Sequence, residues 1–478
     1  MFRHSVSRFG LATHLALAAA LPAALAQFVS VNWLSVSMLW VCLSAWIWMI
    51  FEPSVLSGET VSRARSRMVG RMVRDPFVWF MVLAVSFSLI RWLNSGVALF
   101  YDAEKTIWSV KESAMPIMPA SSGDAGLLPL AVSVVLATVV AGVRHALGRN
   151  ARIWFGVTAG AFSAIGGLAA VVCVAFGDEA FKTAALMSFG QPWFYGTAFA
   201  LILPVSIACG IEAEERGITK ARLLFAFAVA GNAVAAFVFL PILLAVGYLL
   251  VSVVVAALSL ALCKNRAGAA ACARAASMLA FGIVGAVSAV MAPSYKSIVQ
   301  EKVKGVNIEN AFTPALADRN EALQRVSLAM WKDFQWKGVG VGAFKLQAPF
   351  YVAKEDWQVL PPRPEQSSNG YFTLIAERGI VGSLFWLVGI GFLLFAWVAR
   401  LVESFYWHKT LEEGRAWVFC IPSVVWAGLA VLVAGLADAW FSSGFPLTAL
   451  PVSVVSAMTL AAASFPKMKR NSAKEIKD

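Results

Sequence analysis

GVGVGAF at residues 338–344 and SSNGYFTLIAERGIVG at residues 367–382 are the two segments around which the rest of the chain is organised. Both belong to a mostly polar stretch, 318–382, of an otherwise apolar chain. A glycine at every second position suits a turn in which the backbone passes close to another segment, and Asn-Gly is a turn signal that here opens an apolar helix. We therefore expect the chemistry of the protein to concentrate in 318–382.

Composition indicates a membrane protein. Of the 478 residues, 59% are hydrophobic and only 14% are charged, and the mean hydropathy is +0.73, which is typical of a polytopic membrane protein. The formal net charge of +12 does not indicate nucleic-acid binding, because most Lys and Arg residues lie in short segments between apolar runs. The six cysteines and four histidines are scattered along the chain, so we expect no disulfide framework, no metal site and no other cofactor.

Twelve apolar segments are long enough to cross a bilayer as helices, which takes about 20 residues each. Arginine-rich segments follow the second, fourth and eighth of them, so both termini are placed in the cytoplasm. We predict an all-α fold with nine membrane helices in 1–292, an extracytoplasmic loop domain in 293–370, and three helices with a basic cytoplasmic tail in 371–478. The predicted spans are 10–30, 32–51, 76–97, 127–147, 153–176, 193–211, 222–239, 242–262, 275–292, 371–399, 416–434 and 446–465.

Two segments of this topology have alternative interpretations. The first span is interpreted as retained, although Ala24-Leu25-Ala26 before Gln27 also fits a signal-peptide cleavage site. The apolar run 222–262 is too long for one span, and we predict a hairpin that turns near Pro241.

The loop 293–370 contains ten Lys or Arg and eight Asp or Glu residues, which indicates an aqueous domain. Within it, 318–333 has helical apolar spacing, with Asp318 or Asn320 as the expected N-cap. The sequence PPRP at 361–364 excludes helix and predicts an extended piece leading to Asn369.

The ordered motifs of 318–382 resemble the extracytoplasmic core of the O-antigen ligase and polymerase family, membrane glycosyltransferases that move glycans from a polyprenyl diphosphate carrier. In that family an Arg precedes a Trp, a Gly-x-Gly-x-Gly-x-Phe turn follows, and His-Asn precedes a helix with Glu-x-Gly-x-x-Gly. Two features depart from the family pattern: Ser368 stands at the position of the His, and no Arg occurs in 223–263, where the family has one at an outer turn. The matching residues are Arg319, Trp331, Gly338, Gly340, Phe344, Asn369, Glu377, Gly379 and Gly382.

The resemblance implies an inverting, metal-independent glycosyltransferase of the bacterial inner membrane, with its active side extracytoplasmic. Its expected partners are an undecaprenyl (polyprenyl) diphosphate-linked glycan, a lipid or glycan acceptor such as lipopolysaccharide, and proteins that assemble envelope polysaccharide. Two other classes remain open. A lipid-linked glycan flippase or transporter also fits twelve spans, although matching halves are not evident. A catalytically inactive family member that acts as a scaffold fits the missing His and Arg.

Transfer from a lipid diphosphate needs a cation that holds the leaving group. Arg319 is the first candidate, because a guanidinium pairs with phosphate through two hydrogen bonds and stays charged. A structural ion pair with Asp318 or Glu321 is the alternative for this residue. Other candidate contacts to the substrate are Arg325, Arg363 and Arg378. Arg91 is interpreted as extending toward the outer membrane interface, with lining of the cavity as the alternative. For Arg378, extension toward the same interface is the structural alternative to a contact with the substrate.

The reaction also needs an acceptor for the proton of the attacking hydroxyl. Ser368 lacks the basic nitrogen of an imidazole, so Glu377 is the candidate, with Glu365 as the other nearby carboxylate. The structural interpretation of Glu377 is a pair with Arg378 or a carboxylate near the start of the helix, which the helix dipole favours.

The remaining candidates have a structural alternative as well. Asn369 either binds substrate or caps the helix that follows. Gly340 either contacts substrate or belongs to a tight turn that packs aromatic residues against the helices. Four aromatic residues of the loop domain form either a sugar-stacking wall or a set of interfacial side chains: Trp331, Trp336, Tyr351 and Trp357.

Overall fold

The computed structural model describes part of the chain. The described ranges are 31–51, 53, 59–102, 106–146, 221–239, 314–364, 367 and 369–411, with a few isolated positions between 165 and 257. Two candidate site residues, Ser368 and Glu365, lie outside the described residues. The same holds, wholly or for the most part, for the predicted spans 10–30, 153–176, 193–211, 242–262, 275–292, 416–434 and 446–465.

The described part of the chain is mostly helical. A π turn, Gly142–Ala146, extends the fourth helix, and short 3-10 turns occupy Gly123–Gly126, Ala348–Phe350 and Lys354–Gln358. The named elements in chain order are α1 (Val31–Phe51), α2 (Val61–Val73), α3 (Pro76–Leu93), β1 (Ala98–Asp102), β2 (Ile107–Lys111), α4 (Leu127–Ala141), α5 (Ala221–Phe239), α6 (Pro314–Asp333), α7 (Phe344–Gln347) and α8 (Gly370–Leu411).

Helices α1, α3, α4 and α5 coincide with the predicted spans 32–51, 76–97, 127–147 and 222–239. Among the described residues, α3 is the one helix that is long and apolar enough to cross a membrane, with 18 residues and a mean hydropathy of 1.7. Helix α4 packs against both α1 and α3. The number of membrane spans stays a prediction.

The prediction of an all-α fold is wrong at one place. Strands β1 and β2 pair antiparallel, with Ala98 opposite Lys111 and Asp102 opposite Ile107. Their aromatic and β-branched residues favour strands. The segment after the hairpin then reaches residue 341, where Ser121 forms an isolated bridge with Val341. The hairpin is therefore attached to the glycine-rich segment more than 200 residues away.

Helix α6 begins at Pro314, four residues before the predicted start. Both expected N-caps, Asp318 and Asn320, therefore lie inside the helix, and that prediction is wrong. Proline is favoured in the first turn because it lacks the N–H group that would have no acceptor there. Apolar residues of α6, including Val326 and Met330, pack into one buried cluster with Phe344.

Helix α8 covers the predicted span 371–399 but is broken near its start. Gly379 has φ 60° and ψ −165°, which is not helical. Nine residues precede this break, and the long apolar part follows it. The break places Glu377 and Arg378 at the end of a short helical segment.

Candidate functional site

The glycine turn, residues 338–342, fills the break in α8. The N–H of Val339 donates to the carbonyl of Ala376 (3.0 Å), and the N–H of Gly340 donates to that of Glu377 (3.1 Å). Beyond the break, Ile380 donates to the carbonyl of Gln335 over 2.7 Å. Backbone N–H and carbonyl groups that lose their helical hydrogen bonds at the break are therefore bonded to residues 335–340 instead. Buried backbone polar groups are nearly always paired in this way.

Two glycines make this close approach feasible. Gly338 has φ +71°, and a Cβ atom there would lie 2.4 Å from the carbonyl group of Glu377. Gly379 has φ +60°, and its Cβ would lie 2.5 Å from the nitrogen of Gly338 and 2.6 Å from the oxygen of Trp336. The two glycine motifs of the sequence can therefore pack this closely only because both positions lack a Cβ atom.

We expect Gly379→Ala to destabilise the protein strongly. The left-handed backbone costs a residue with a Cβ about 1–2 kcal/mol, and overpacking adds about 1–3 kcal/mol. Thermal unfolding of the purified protein in detergent should show a clearly lower Tm. Gly391→Ala is the matched control in the same helix, because nothing lies within 4 Å of its added Cβ. Equal melting temperatures for the two variants would contradict the packing described for Gly379.

The carboxylate of Glu377 is buried and holds the glycine turn. Its Oε1 accepts a hydrogen bond from the N–H of Gly342 over 3.0 Å, and the backbone of Phe344 contributes a second one. Two arginines, Arg378 and Arg91, interact with it electrostatically. The predicted pairing of Glu377 with Arg378 is therefore part of a larger group of charges.

Arg91, in the last turn of α3, is only 2% exposed. Its guanidinium carbon lies 4.2 Å from the centroid of the Phe87 ring, in the arrangement of a cation–π contact. A Cβ at Gly382 would come within 2.7 Å of its Nη2 atom, so the last glycine of the Glu-x-Gly-x-x-Gly motif makes room for this side chain. The expectation that Arg91 extends to the interface is wrong, and so is the same expectation for Arg378, which is also buried.

The Nε atom of Arg91 is buried and has no hydrogen-bond partner among the described residues. Burying such a donor without an acceptor costs about 1–3 kcal/mol, and more for a charged group. An anionic ligand that offers oxygen atoms to Arg91 would remove this cost. One signal in the sequence could have indicated that Arg91 binds an anion: it is an arginine near the end of an apolar helix. The proximity of Arg91 to Gly382 is visible only in the structure.

Arg319 is exposed on α6. It lies one turn before the buried Ala322 and Leu323, so helical periodicity puts it on the face of α6 that packs against α8. The structure gives Arg319 no ion-pair partner within the described ranges. Glu321, a predicted partner, instead contacts Arg325 over 2.7 Å.

Arg325 forms an ion pair that joins two elements of the fold. Its Nη2 lies 2.6 Å from Oδ1 of the buried Asp356, and this hydrogen bond raises the pKa of Arg325. The pair attaches α6 to the turn at Lys354–Gln358. A second attachment joins Ser327 and Ser367, whose hydroxyl oxygens are 2.7 Å apart. Ser367 directly precedes Ser368, so the position of the family's His is adjacent to a residue bonded to α6.

Asn369 caps α8. Its side-chain oxygen accepts a hydrogen bond from the N–H of Phe372 (3.0 Å), and its carbonyl accepts one from the N–H of Thr373 (3.1 Å). This is the geometry of an N-cap, so the capping interpretation is confirmed. Arg363 is exposed in the segment before it.

The four aromatic residues proposed as a wall differ in environment. Trp331 is half-buried, with an indole nitrogen that lacks a partner among the described residues, whereas Trp336 and Trp357 are 70% and 66% exposed. The hydroxyl of Tyr351 donates to Asp333 over 2.8 Å. Burial and this hydrogen bond raise the pKa of Tyr351 to about 12, so it stays protonated near neutral pH and is unsuited to act as a base.

Residues 231–387 match the family model described as O-Antigen ligase. The resemblance inferred from 318–382 is thereby confirmed, and the matched range contains α6, α7, the glycine turn and the break in α8. A comparison with curated protein sequences finds no match. The match covers 157 of the 478 residues and agrees with the membrane protein that the composition predicts. Among the described residues, no group of three His, Cys, Asp or Glu side chains could hold a metal ion.

Proposed function

We propose that the protein is an inverting, metal-independent glycosyltransferase that ligates or polymerises a glycan from a polyprenyl (undecaprenyl) diphosphate carrier. The reaction takes place on the extracytoplasmic side of the inner membrane, in envelope-polysaccharide biosynthesis. The observation that supports this most is the buried group of Arg91, Glu377 and Arg378, held at the break of α8 by the glycine turn. Ionisable residues within apolar helices are costly and mark functional sites. The family match supports the class of substrate.

In the proposed reaction, the acceptor's hydroxyl oxygen attacks the anomeric carbon of the carrier-linked glycan from the face opposite the diphosphate. The bond between that carbon and the diphosphate oxygen breaks, and its electron pair leaves with the polyprenyl diphosphate. Negative charge grows on the leaving group, so cations placed there stabilise the transition state more than the ground state. Arg91 fits this role because its buried Nε–H lacks an acceptor among the described residues. Arg319 fits it because it is exposed on α6, one turn before Ala322 and Leu323, which pack in one cluster with Ala376 of α8.

Glu377 is the proposed acceptor of the hydroxyl proton. The N–H groups of Gly342 and Phe344 donate hydrogen bonds to its carboxylate, and the carboxylate is the form that accepts a proton. Ser368 lies at the position of the family's His, and we assign it a hydrogen bond to the attacking hydroxyl, since its own oxygen is not basic. Asn369 holds the start of α8, while Arg363 and Arg378 are further candidate contacts to the diphosphate or the glycan.

We expect Arg91→Ala to lower the rate of glycan transfer about 10- to 100-fold, because a hydrogen bond to a charged group contributes about 1.5–3 kcal/mol. Arg91→Lys should restore only part of the rate, since an ammonium cannot form the two-pronged contact of a guanidinium. The measurement is transfer of labelled glycan from its polyprenyl diphosphate carrier in proteoliposomes.

Arg65→Ala is the matched control. Arg65 also has a buried Nε without a partner among the described residues, and it lies 6.0 Å from the ring centroid of Phe51, but it belongs to α2, which precedes the opposite end of α3. This variant should transfer glycan at the wild-type rate. If the Arg91→Ala protein folds and transfers glycan at the wild-type rate, Arg91 has only a structural role.

A further inference from the structure

A groove of about 350 Å³ lies between the β1–β2 hairpin and the glycine turn. Sites for small molecules have volumes of roughly 300–1,000 Å³, so the groove has room for a short saccharide. Its floor includes Gly338 and Val339, the residues that contact α8 at Ala376 and Glu377. The groove therefore lies next to the site proposed above, although none of Arg91, Glu377 and Arg378 lines it.

The hairpin supplies one wall of the groove, with Trp108, Lys111 and Glu112 along and just after β2. The indole of Trp108 is 54% exposed and packs on one side against the ring of Tyr101, with the ring centroids 5.3 Å apart. This wall is fixed to the glycine turn, because the N–H of Ser122 donates to the carbonyl of Val341 over 2.9 Å. A further contact joins Nζ of Lys337 to the carbonyl of Pro116.

Another part of the lining comes from α7 and the 3-10 turn after it. Phe350 lines the groove and is 51% exposed, although large aromatic residues are usually buried in an aqueous domain. Gln347 lies one turn before it and also lines the groove. Two half-exposed aromatic rings therefore share one concave site with an amide, two ammonium groups and a carboxylate.

This composition matches the chemistry of a saccharide. The C–H face of a pyranose ring is apolar and stacks on an aromatic ring, while its hydroxyls donate to and accept from amide, carboxylate and ammonium groups. A polyprenyl chain fits worse, because it would desolvate Lys111, Glu112, Lys337 and Gln347 without offering them hydrogen bonds. We propose that the groove binds sugar rings of the glycan that takes part in transfer, with Trp108 and Phe350 as stacking platforms. The assignment of this sugar to the transfer reaction depends on the proposed function.

The test is binding of a water-soluble probe to the full-length protein in lipid nanodiscs. The probe is the oligosaccharide mixture released by mild acid from the envelope polysaccharide of the cells that produce the protein, and saturation-transfer NMR reports its contact. Wild type should bind it, and Trp108→Ala and Phe350→Ala should each raise the Kd about tenfold, as loss of an aromatic contact predicts. Gln347→Ala should also raise the Kd, because it removes the amide that would bond to sugar hydroxyls and leaves both aromatic rings in place.

Trp357→Ala is the matched control, because Trp357 is 66% exposed but does not line the groove. Binding that depends on Trp357 and not on Trp108 would overturn the proposal. Competition by polyprenyl phosphate and not by the oligosaccharide would overturn it as well.

The outcome is separable from that of the proposed function. If the wild-type protein binds the probe through Trp108 but releases no polyprenyl diphosphate in a transfer assay, the groove proposal is supported and the glycosyltransferase assignment is wrong. If transfer proceeds and Trp108→Ala changes neither Kd nor the KM for glycan, the groove proposal fails alone.

Discussion

Glu377→Gln is expected to abolish glycan transfer while the protein still accumulates in the membrane. Glutamine keeps a carbonyl oxygen that can accept the hydrogen bond from Gly342, but it removes the negative charge and the basicity. General-base catalysis contributes about 10²–10⁴ in rate, so transfer in proteoliposomes should fall by at least about 10². The glycan profile of cells that carry only this variant should lack the ligated or polymerised product.

Glu321→Gln is the matched control for this prediction. Its carboxylate is exposed, with a side-chain accessibility of 69%, and pairs with Arg325 on α6. A surface pair of this kind contributes little to stability, so its loss should leave transfer intact. An unchanged product in the Glu377→Gln strain would rule out Glu377 as the proton acceptor.

Arg319→Ala is expected to lower turnover by about 10²–10³, as the loss of one group that stabilises transition-state charge does in other enzymes. The protein should fold normally, because Arg319 is exposed and has no ion-pair partner among the described residues. Arg319→Lys should recover only part of the rate, since a point charge cannot form two parallel hydrogen bonds to phosphate. The measurement is kcat and KM for the carrier-linked glycan.

Lys332→Ala provides the control for Arg319, because it removes an exposed cation from the last turn of the same helix. Wild-type kinetics are expected for it. Full activity of a folded Arg319→Ala protein would make Arg319 structural. If both Arg319→Ala and Glu377→Gln preserve the product while deletion of 293–370 removes it, the scaffold interpretation replaces the enzymatic one.

Local patterns in the sequence predicted much of the helical structure. Apolar runs of about 20 residues located α1, α3, α4 and α5, because a helix that crosses or packs within a bilayer must be apolar along most of its length. The Asn-Gly signal at 369–370 located the start of α8, since a side-chain oxygen at the N-cap satisfies a free backbone N–H. These features depend on residues that are close in sequence.

The features that sequence reasoning missed depend on contacts between distant residues. The all-α prediction omits the hairpin, because its strands are short and the contacts that fix it are made by Ser121 and Ser122 to Val341. The glycines of 338–342 and Gly379 were recognised as a motif, but their spacing does not show that one segment fills a break in the other. Arg91 was misjudged for the same reason, because its space is created by Gly382, almost 300 residues later.

The most direct test of the central claim is a mass balance on purified wild-type protein in vesicles that contain the glycan on its polyprenyl diphosphate carrier and the acceptor. We expect polyprenyl diphosphate to be released in a one-to-one ratio with the glycan gained by the acceptor, and we expect both products to disappear together in Glu377→Gln. Movement of the intact carrier-linked glycan across the bilayer, with no release of polyprenyl diphosphate, would contradict it and identify a transporter.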